Sequence, residues 1–258
     1  MGEAMNEAIG EAMGEQAGRA VRRVVAINGS PRMEKGDTAM VLDPFLRGLE
    51  EAGADVELVY AERLDVRPCT CGRMHCWYGT PGTCCFRDGM QDLLGRIAQA
   101  DTLVLATPVY IPLPGKMQDV VNRLCPLMEP RLEFREGRTR SRFRDGVALR
   151  RMVLVATGGW WEAGNFDTVT RIVEDLSATA GVAFTGAVIR PHAFVMRARG
   201  ELSKTGRAIQ GELQQAGREL AETGALRPET LASIRRPLVS EERLRRMYNE
   251  ELANANRG

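Results

Sequence analysis

A chain of 258 residues, 44% of them hydrophobic and 27% charged, is long enough to bury a substantial core as one large α/β domain or two smaller ones. Its 35 basic and 34 acidic side chains give a formal net charge of +1, so the overall balance favours neither nucleic acid nor an anionic membrane as a partner. No apolar run approaches the length of a membrane span, and the acidic start of the chain is unlike a signal peptide. We therefore expect a cytoplasmic protein that binds neither nucleic acid nor membrane.

The first elements form a strand, a turn and a helix. Residues 1–20 are rich in Gly, Ala and Glu, and we expect a frayed helix or a flexible lead-in there. The apolar run 23–28 predicts a buried strand, and a Gly-Ser-Pro turn follows it. Asp37 or Thr38 can cap the next helix, over 38–52, whose apolar residues recur at three- and four-residue spacing.

The rest of the chain alternates strands and helices. Apolar runs predict strands at 55–60, 102–107, 151–157 and 182–190, and periodic segments predict helices at 89–100, 116–128, 167–180, 203–223 and 240–254. Asp88 is expected to cap its helix, and the polar stretch 129–146 to be a solvated excursion. Five alternating strands predict a parallel sheet covered on both faces, in a domain over 21–200. A helical C-terminal extension, 201–258, is assigned packing or subunit contacts.

The loop after the first strand has the features of an anion site. Strand, polar loop and helix N-terminus together present backbone N–H groups and the positive end of a helix dipole to a phosphate. The hydroxyls of Ser30 and Thr38 can add donors, and Arg32 supplies a positive charge. An ordinary strand-to-helix turn is the alternative interpretation.

Two later loops are suited to a planar heterocycle. In Thr107-Pro108-Val109-Tyr110 the proline stiffens the turn, so backbone groups can face a ring on which Tyr110 packs. Gly158 and Gly159 let the backbone approach a ligand closely, and Trp160 and Trp161 supply aromatic surface beside them. Adjacent tryptophans diverge in an extended chain, so we expect one in the core and the other exposed at the site. A stiff connection with a partly buried tyrosine is the alternative.

These three loops together carry a family resemblance, over roughly residues 22–190. The stretches Asn28-Gly-Ser-Pro-Arg-x3-Gly-Asp-Thr38, Thr107-Pro-Val-Tyr-x4-Gly-Lys-Met-Gln-Asp-Val-Val-Asn-Arg123 and Gly158-Gly159 resemble the NADPH-dependent FMN reductase family of the flavodoxin-like superfamily. The resemblance implies a flavodoxin-like doubly wound five-stranded parallel sheet of order 2-1-3-4-5. It implies an FMN site whose phosphate is surrounded by Ser30, Arg32, Asp37 and Thr38, and whose ring is held by Pro108, Val109, Tyr110, Gly158 and Gly159, with Trp160 beside them.

The first loop departs from the family at one position. The family usually has Asn where this chain has Asp37. A carboxylate close to a phosphate is unfavourable unless it caps the helix instead.

Five of the six cysteines lie between Cys69 and Cys85, a density that predicts metal binding or redox chemistry in a cytoplasmic chain. The cluster resembles the iron–sulfur flavoprotein branch of the family, which implies a [4Fe–4S] cluster in a cysteine-rich loop, 66–88, after the second strand. The interval from Cys76 to Cys84 fits the C-x2-C-x2-C-x4–7-C pattern of that branch, whereas the first two intervals do not. The predicted metal ligands are Cys69, Cys71, Cys76 and Cys84, with Cys85 as the substitute for Cys84.

Other readings of these residues stay open. Zinc, a redox disulfide pair or reduced thiols would each account for a dense cysteine loop. Cys125 lies in an apolar helical stripe and is predicted to be a core residue. His75 is expected to be a solvated loop histidine and His192 a structural one.

The resemblance implies an NAD(P)H-dependent FMN oxidoreductase that passes electrons from a nicotinamide donor through FMN and the cluster to a small acceptor, a quinone or a flavin. One alternative is an electron carrier that takes electrons from a ferredoxin-like protein. Another is a zinc-stapled, flavodoxin-like binding protein. Family members are often oligomeric, so a homodimer or homotetramer is expected. No residue is assigned as a catalytic acid or base.

Overall fold

The computed structural model describes residues 20–255, and side chains within 20–250. Its strands are β1 (Arg23–Asn28), β2 (Asp55–Tyr60), β3 (Thr102–Pro108), β4 (Glu133–Arg135), β5 (Arg138–Arg140), β6 (Arg151–Thr157), β7 (Ala183–Arg190), β8 (Arg197–Ala198) and β9 (Glu201–Leu202). Its α-helices are α1 (Asp37–Glu51), α2 (His75–Tyr78), α3 (Gly89–Gln99), α4 (Gly115–Asn122), α5 (Asp167–Ala180), α6 (Lys204–Thr223), α7 (Pro228–Arg235) and α8 (Glu241–Ala255). The predicted lead-in over 1–20 lies outside the described residues, except for its last one.

The central sheet has five parallel strands in the order β2-β1-β3-β6-β7. Counted among these five alone, the order is 2-1-3-4-5, so the predicted flavodoxin-like topology is confirmed. The inner strands β3 and β6 are buried along almost their whole length, as strands covered on both faces must be. Two apolar clusters lie on the two faces of the sheet, one built largely with α3, α4 and α5 and the other with α1, α6 and α7.

Helix α6, in the predicted extension, packs tightly on α1. A Cβ placed at Gly48 would lie 1.9 Å from the carbonyl oxygen of Gln214, and one at Gly217 would lie 2.0 Å from that of Phe45. Only glycine allows two helix backbones to approach this closely. The extension therefore shares the core on one face of the sheet.

Three local predictions differ from the structure. The helix predicted over 116–128 ends at Asn122, and a 3-10 turn, Cys125–Leu127, replaces its last part because Pro126 has no N–H to donate. The predicted solvated excursion contains the hairpin β4–β5, and its Arg135 is buried and donates to the carbonyl of Ser141 at 2.8 Å. Helix α7 was not predicted.

The remaining boundaries agree with the sequence to within about two residues. Asp88 caps α3 as expected, since its carboxylate accepts a hydrogen bond from the N–H of Met90. No helix in the described part of the chain has the length and apolar character that crossing a membrane would require.

Candidate functional site

The loops that follow β1, β3 and β6 meet at the carboxyl edge of the sheet. They enclose a cavity of about 360 Å³, here called the first cavity. Its lining residues are Arg32, Asp37, Pro108, Val109, Tyr110, Thr157, Gly158, Gly159, Phe194 and Tyr248. Open parallel sheets bind their ligands at this edge, at the point where the strand order reverses, which here lies between β1 and β3. The three loops singled out in the sequence are thus brought together at one site.

The loop after β1 is folded by its own side chains. The amide oxygen of Asn28 accepts a hydrogen bond from the Ser30 N–H at 2.9 Å, and the Ser30 hydroxyl accepts one from the Arg32 N–H at 3.3 Å. The side-chain nitrogen of Asn28 is buried and has no hydrogen-bond partner among the described residues. A Cβ at Gly36 would lie 2.6 Å from the Ser30 oxygen, so a larger residue there would displace the Ser30 hydroxyl.

The start of α1 differs in one respect from the prediction. Gly36 is the N-cap residue and no side chain caps the helix, so the expectation that Asp37 or Thr38 would do so is wrong. The Thr38 hydroxyl is buried and shares a hydrogen bond with the Thr157 hydroxyl at 3.0 Å, which joins the loop after β1 to the end of β6. The first N–H groups of α1 have no partner within the helix and stay available to an anion.

Two arginines converge on the Asp37 carboxylate. Arg32 lies 2.8 Å from one of its oxygens and Arg197 lies 3.4 Å from the other. Two positive charges face one negative charge, so this end of the first cavity carries an excess of positive charge. A phosphate group with its negative charges fits that excess.

The other end of the first cavity is built from backbone. The Val109 N–H donates to the Thr157 carbonyl at 2.8 Å, which ties the loop after β3 to β6. The Ala193 N–H donates to the Gly158 carbonyl at 3.1 Å, so the chain after β7 supports the loop after β6. A Cβ at Gly158 would lie 2.9 Å from the Phe166 ring. These contacts fix the two loops that were predicted to hold a planar ring.

A second cavity of about 470 Å³ adjoins the first. Its lining residues are Val109, Tyr110, Ile111, Gly158, Gly159, Trp160, Asn165, Phe166 and Tyr248. Trp160 is 67% exposed and lines this second cavity, whereas it is not among the residues that line the first. Trp161 is only partly buried and donates to the Val239 carbonyl at 2.8 Å. Both tryptophans line a further cavity, so the expectation that one of them lies in the core is wrong.

Sequence reasoning missed Tyr248 on α8. This side chain lines both cavities, and its ring packs edge-to-face on Phe194 with the centroids 5.4 Å apart. A Cβ at Gly159 would lie 2.4 Å from the Tyr248 hydroxyl oxygen. The C-terminal helices were assigned packing or subunit contacts, but α8 also contributes to the site. A lone tyrosine in an amphipathic helix carries no signal of such a role.

His192 is structural, as predicted. It is fully buried, and its Nε2 accepts a hydrogen bond from the Leu238 N–H at 3.1 Å and lies 3.2 Å from the Arg190 guanidinium. Burial lowers the pKa of His192 to about 4, and the nearby Arg190 charge adds to the shift. Arg190 also donates to the Arg236 carbonyl at 2.9 Å. The pair fastens the segment between α7 and α8 to the end of β7.

The cysteine loop is held by a buried ion pair. Arg123 pairs with Asp88, and both side chains are 1% exposed. The same guanidinium donates to the Cys84 sulfur at 3.1 Å. Burial alone would raise the pKa of Asp88, but hydrogen bonds, first from Arg123 and then from backbone N–H groups, hold it below its ordinary value of 3.8. The pair therefore links the loop to α3 and to the segment after α4.

Two pairs of thiols are in contact here, one within the loop and one between the loop and Cys125. Cys71 and Cys85 share a hydrogen bond, as do Cys76 and Cys125. Hydrogen bonds, first that from the His75 N–H, lower the pKa of Cys71. Burial raises the pKa of Cys76 to about 12, and the Cys125 thiol adds to that shift.

One expectation about this loop is wrong, that for Cys125, and one is confirmed, that His75 is solvated. Cys125 was predicted to be a core residue, but it is only partly buried and contacts a thiol of the loop, because the 3-10 turn that carries it packs against α2. His75 is exposed, and its backbone N–H donates to the Cys71 sulfur at 3.1 Å.

The cysteines of this loop are suited to binding a soft metal, because thiolates are soft ligands and N–H groups donate hydrogen bonds to the sulfur atoms here. Among residues 20–250, however, no three His, Cys, Asp or Glu side chains are grouped so that they could hold a metal ion. The predicted ligands are placed as follows: Cys69 is exposed, and Cys71, Cys76 and Cys84 are partly buried.

The sequence profile of the NADPH-dependent FMN reductase family matches residues 22–173, more than half of the chain. The chain belongs to this family. The matched residues of this FMN reductase family member include all three loops of the first cavity. Helices α6, α7 and α8 lie beyond the matched residues.

Curated relatives include archaeal iron–sulfur flavoproteins. One from Archaeoglobus fulgidus is 33% identical over 106 residues, which cover 40% of this chain and 46% of the relative. One from Methanocaldococcus jannaschii is 28% identical over 106 residues, which cover 41% of this chain and 53% of the relative. The chain thus spans about half the length of the curated relatives it matches. The similarity supports the iron–sulfur flavoprotein branch within the family.

Solved structures show the same fold. An FMN-dependent NADH-azoreductase from Bacillus anthracis, in complex with FMN, matches with a TM-score of 0.56 and 16% identity over 78% of this chain and 99% of that one. An NAD(P)H:quinone oxidoreductase from Methanothermobacter marburgensis matches with a TM-score of 0.52 and 18% identity over 78% of this chain and 98% of that one. At these identities the likeness supports the flavodoxin-like fold alone.

Proposed function

We propose that the chain is an NAD(P)H-dependent oxidoreductase that binds FMN in the first cavity and reduces a small acceptor. The observation that carries the proposal is the convergence of three loops on one cavity with a cationic end and a backbone-lined end. FMN has the matching shape, since a phosphate and a planar ring lie at its two ends. Membership of the FMN reductase family supports the same assignment.

The residues have separate tasks in this proposal. At the phosphate end, the Ser30 loop, the Thr38 hydroxyl and the N-terminus of α1 supply donors, and Arg32 supplies charge. Asp37 pairs with Arg32 and Arg197 and so competes with the phosphate for them. At the ring end, the backbone of Pro108, Val109, Tyr110, Gly158 and Gly159 forms the walls. Bound FMN would accept a hydride from NAD(P)H and release electrons in pairs or singly, while the protein orients the ring and limits access to it.

The test is a titration of the FMN-free protein with FMN and with riboflavin, which lacks the phosphate. Wild type is expected to bind FMN far more tightly than riboflavin. Arg32→Ala should weaken FMN binding by about tenfold or more, because a charged hydrogen bond contributes roughly 1.5–3 kcal/mol, and should leave riboflavin binding unchanged. Arg47→Ala, at an exposed position farther along α1, is the matched control. Equal affinity for the two flavins, or no uptake of either, would overturn the proposal.

We further propose that the cysteine loop holds a [4Fe–4S] cluster on Cys69, Cys71, Cys76 and Cys84. The names of the archaeal relatives and the N–H donors on sulfur support it. Iron and acid-labile sulfide in protein purified without oxygen test this directly. Cys76→Ser should lose the iron, and Cys85→Ser should keep it. Zinc in place of iron would favour a structural staple instead.

The electron donor is part of the proposal. Anaerobic mixing with NADPH is expected to bleach the flavin rapidly. Bleaching only by a reduced ferredoxin-like protein would instead assign the chain to one-electron transfer. The homodimer or homotetramer is tested by light scattering on the FMN-loaded protein. The cytoplasmic location stays a prediction.

A further inference from the structure

Helix α8 is held to the rest of the chain by little apolar contact. Among its described side chains, 241–250, only Leu244 is buried. Charged residues pair along the helix itself, as Arg245 does with Glu241 at 2.9 Å. Helix α6, by contrast, has a whole buried face. An element with little buried apolar surface opens locally at a lower free-energy cost than the core does, so α8 is the helix most easily displaced from the site.

One side chain of α8 reaches the ring end of the first cavity. Tyr248 lines that cavity together with Phe194, and the two rings pack edge-to-face with their centroids 5.4 Å apart. The Tyr248 hydroxyl oxygen lies against Gly159, where a Cβ would be only 2.4 Å away. Gly159 belongs to the loop after β6, whose backbone is proposed to hold the flavin ring. Tyr248 is 36% exposed, so this side chain stands between that backbone and solvent.

The segment just before α8 is fastened more firmly than the helix. The Leu238 N–H donates to Nε2 of buried His192 at 3.1 Å. The Val239 carbonyl accepts a hydrogen bond from the Trp161 indole at 2.8 Å. Helices α6 and α7 belong to the apolar cluster on one face of the sheet. Helix α8 can therefore move about a fixed base, residues 236–239, while the helices before it stay packed.

We propose that α8 is a lid on the flavin site, which moves about residues 236–239 to admit FMN and closes with Tyr248 beside the flavin ring. The inference rests on the proposed function, since it needs FMN in the first cavity. Closure buries Leu244 and adds the Tyr248 ring to the walls of the cavity. A lid that closes on a bound molecule excludes water and delays its release. Helix α8 lies beyond the matched family residues, so this lid is separate from the three family loops.

A lid and a fixed wall predict different binding kinetics. Leu244 lines neither the first cavity nor the second, so Leu244→Ala weakens closure of the helix without removing a part of either wall. If α8 is a lid, the open form is then populated more, and FMN both enters and leaves faster. A fixed wall that loosens would raise the rate of release only.

Stopped-flow fluorescence measures both rates. FMN-free protein is mixed with FMN to give the association rate, and FMN-loaded protein is mixed with an excess of flavin-free flavodoxin, which traps the FMN that is released. Leu244→Ala should raise the release rate about tenfold and the association rate several-fold, because it removes the buried contact that keeps the helix closed. Tyr248→Ala should also raise the release rate about tenfold, because the aromatic contact with the flavin is lost.

Two further measurements separate the lid from general damage. Arg243→Ala, at an exposed position of the same helix, is the matched control and should keep both wild-type rates. Hydrogen exchange followed by mass spectrometry needs no substitution. The amides of residues 244–250 should exchange faster than those of α6 in the FMN-free protein, and they should slow down when FMN binds. Tyr248 is partly exposed, so Tyr248→Ala tests the lid even if Leu244→Ala does not fold.

Each result decides between a lid and a fixed wall. Wild-type rates in both alanine variants would overturn the inference, and so would faster release with unchanged association in Leu244→Ala. Exchange in α8 that FMN does not alter would overturn it as well. If wild type takes up no FMN, the proposed function fails and the lid fails with it. If wild type binds FMN and one of the first three results is found, the lid alone is removed and the proposed function stands.

Discussion

The first cavity and the cysteine loop are organised in opposite ways. The first cavity lies at the edge of a parallel sheet, and its walls are backbone groups hydrogen-bonded to neighbouring strands, such as Val109 to Thr157. The cysteine loop, 66–88, contains only the short helix α2 and depends on the buried Arg123–Asp88 pair. The sheet thus forms the first cavity from hydrogen-bonded backbone, whereas the loop is held mainly by side-chain contacts. Four substitutions test whether the two regions behave as differently as their contacts imply.

The largest effect is expected at the ion pair. Asp88→Asn leaves the Arg123 charge buried without its partner, which costs roughly 3–5 kcal/mol of unfolding free energy. Urea denaturation of the holoprotein measures it, with Asp92→Asn on the exposed side of α3 as the control. If the two regions are independent, FMN affinity in the folded variant stays at the wild-type value. A parallel loss of FMN binding would show that the loop supports the first cavity.

The next effect is a pH dependence at His192. Its folded-state pKa of about 4 lies below the ordinary 6.5, so the unfolded chain takes up the proton first. The stability due to neutral His192 is complete above pH 6.5 and is lost as the pH falls towards 4, by about 3 kcal/mol. His192→Gln cannot titrate, so its unfolding free energy should fall less over this interval. Identical slopes for the two proteins in urea titrations would contradict the assignment.

A smaller effect is expected at Asp37. Asp37→Asn removes the negative charge beside the phosphate and frees Arg32 and Arg197, so FMN should bind several-fold more tightly, about 1 kcal/mol. Riboflavin affinity should not change, which makes riboflavin the internal control. Weaker FMN binding in Asp37→Asn would instead mean that the carboxylate is needed to orient the two arginines.

The smallest effect is expected at the boundary of the two cavities. A Cβ at residue 159 would meet the Tyr248 hydroxyl oxygen at 2.4 Å, so Gly159→Ala should displace that side chain. FMN binding should then weaken by a few-fold. Adding Tyr248→Phe removes the hydroxyl and should restore the affinity. Failure of this rescue would show that the alanine acts on the flavin ring directly.

Local patterns predicted the sheet and the three loops that meet at the first cavity. Buried strands and the turns that follow them can be predicted from the local sequence, and the fold then determines which loops meet. Contacts between segments that are distant in the sequence could not be predicted in this way. Cys125 reaches the cysteine loop only because the helix before it ends early at Asn122. Tyr248 reaches Gly159 only because buried Arg190 and His192 fasten the preceding segment. Such placements depend on tertiary packing rather than on periodicity.

The close contact between α1 and α6 determines how much of the chain can fold by itself. The Val21 N–H, just before β1, donates to the carbonyl of Ala221 at 2.9 Å. This hydrogen bond ties the last part of α6 to the start of β1. A fragment that stopped at residue 200 would leave the apolar side of α1 facing water, and it would aggregate or unfold. We therefore predict that the smallest fragment able to fold extends to the end of α6.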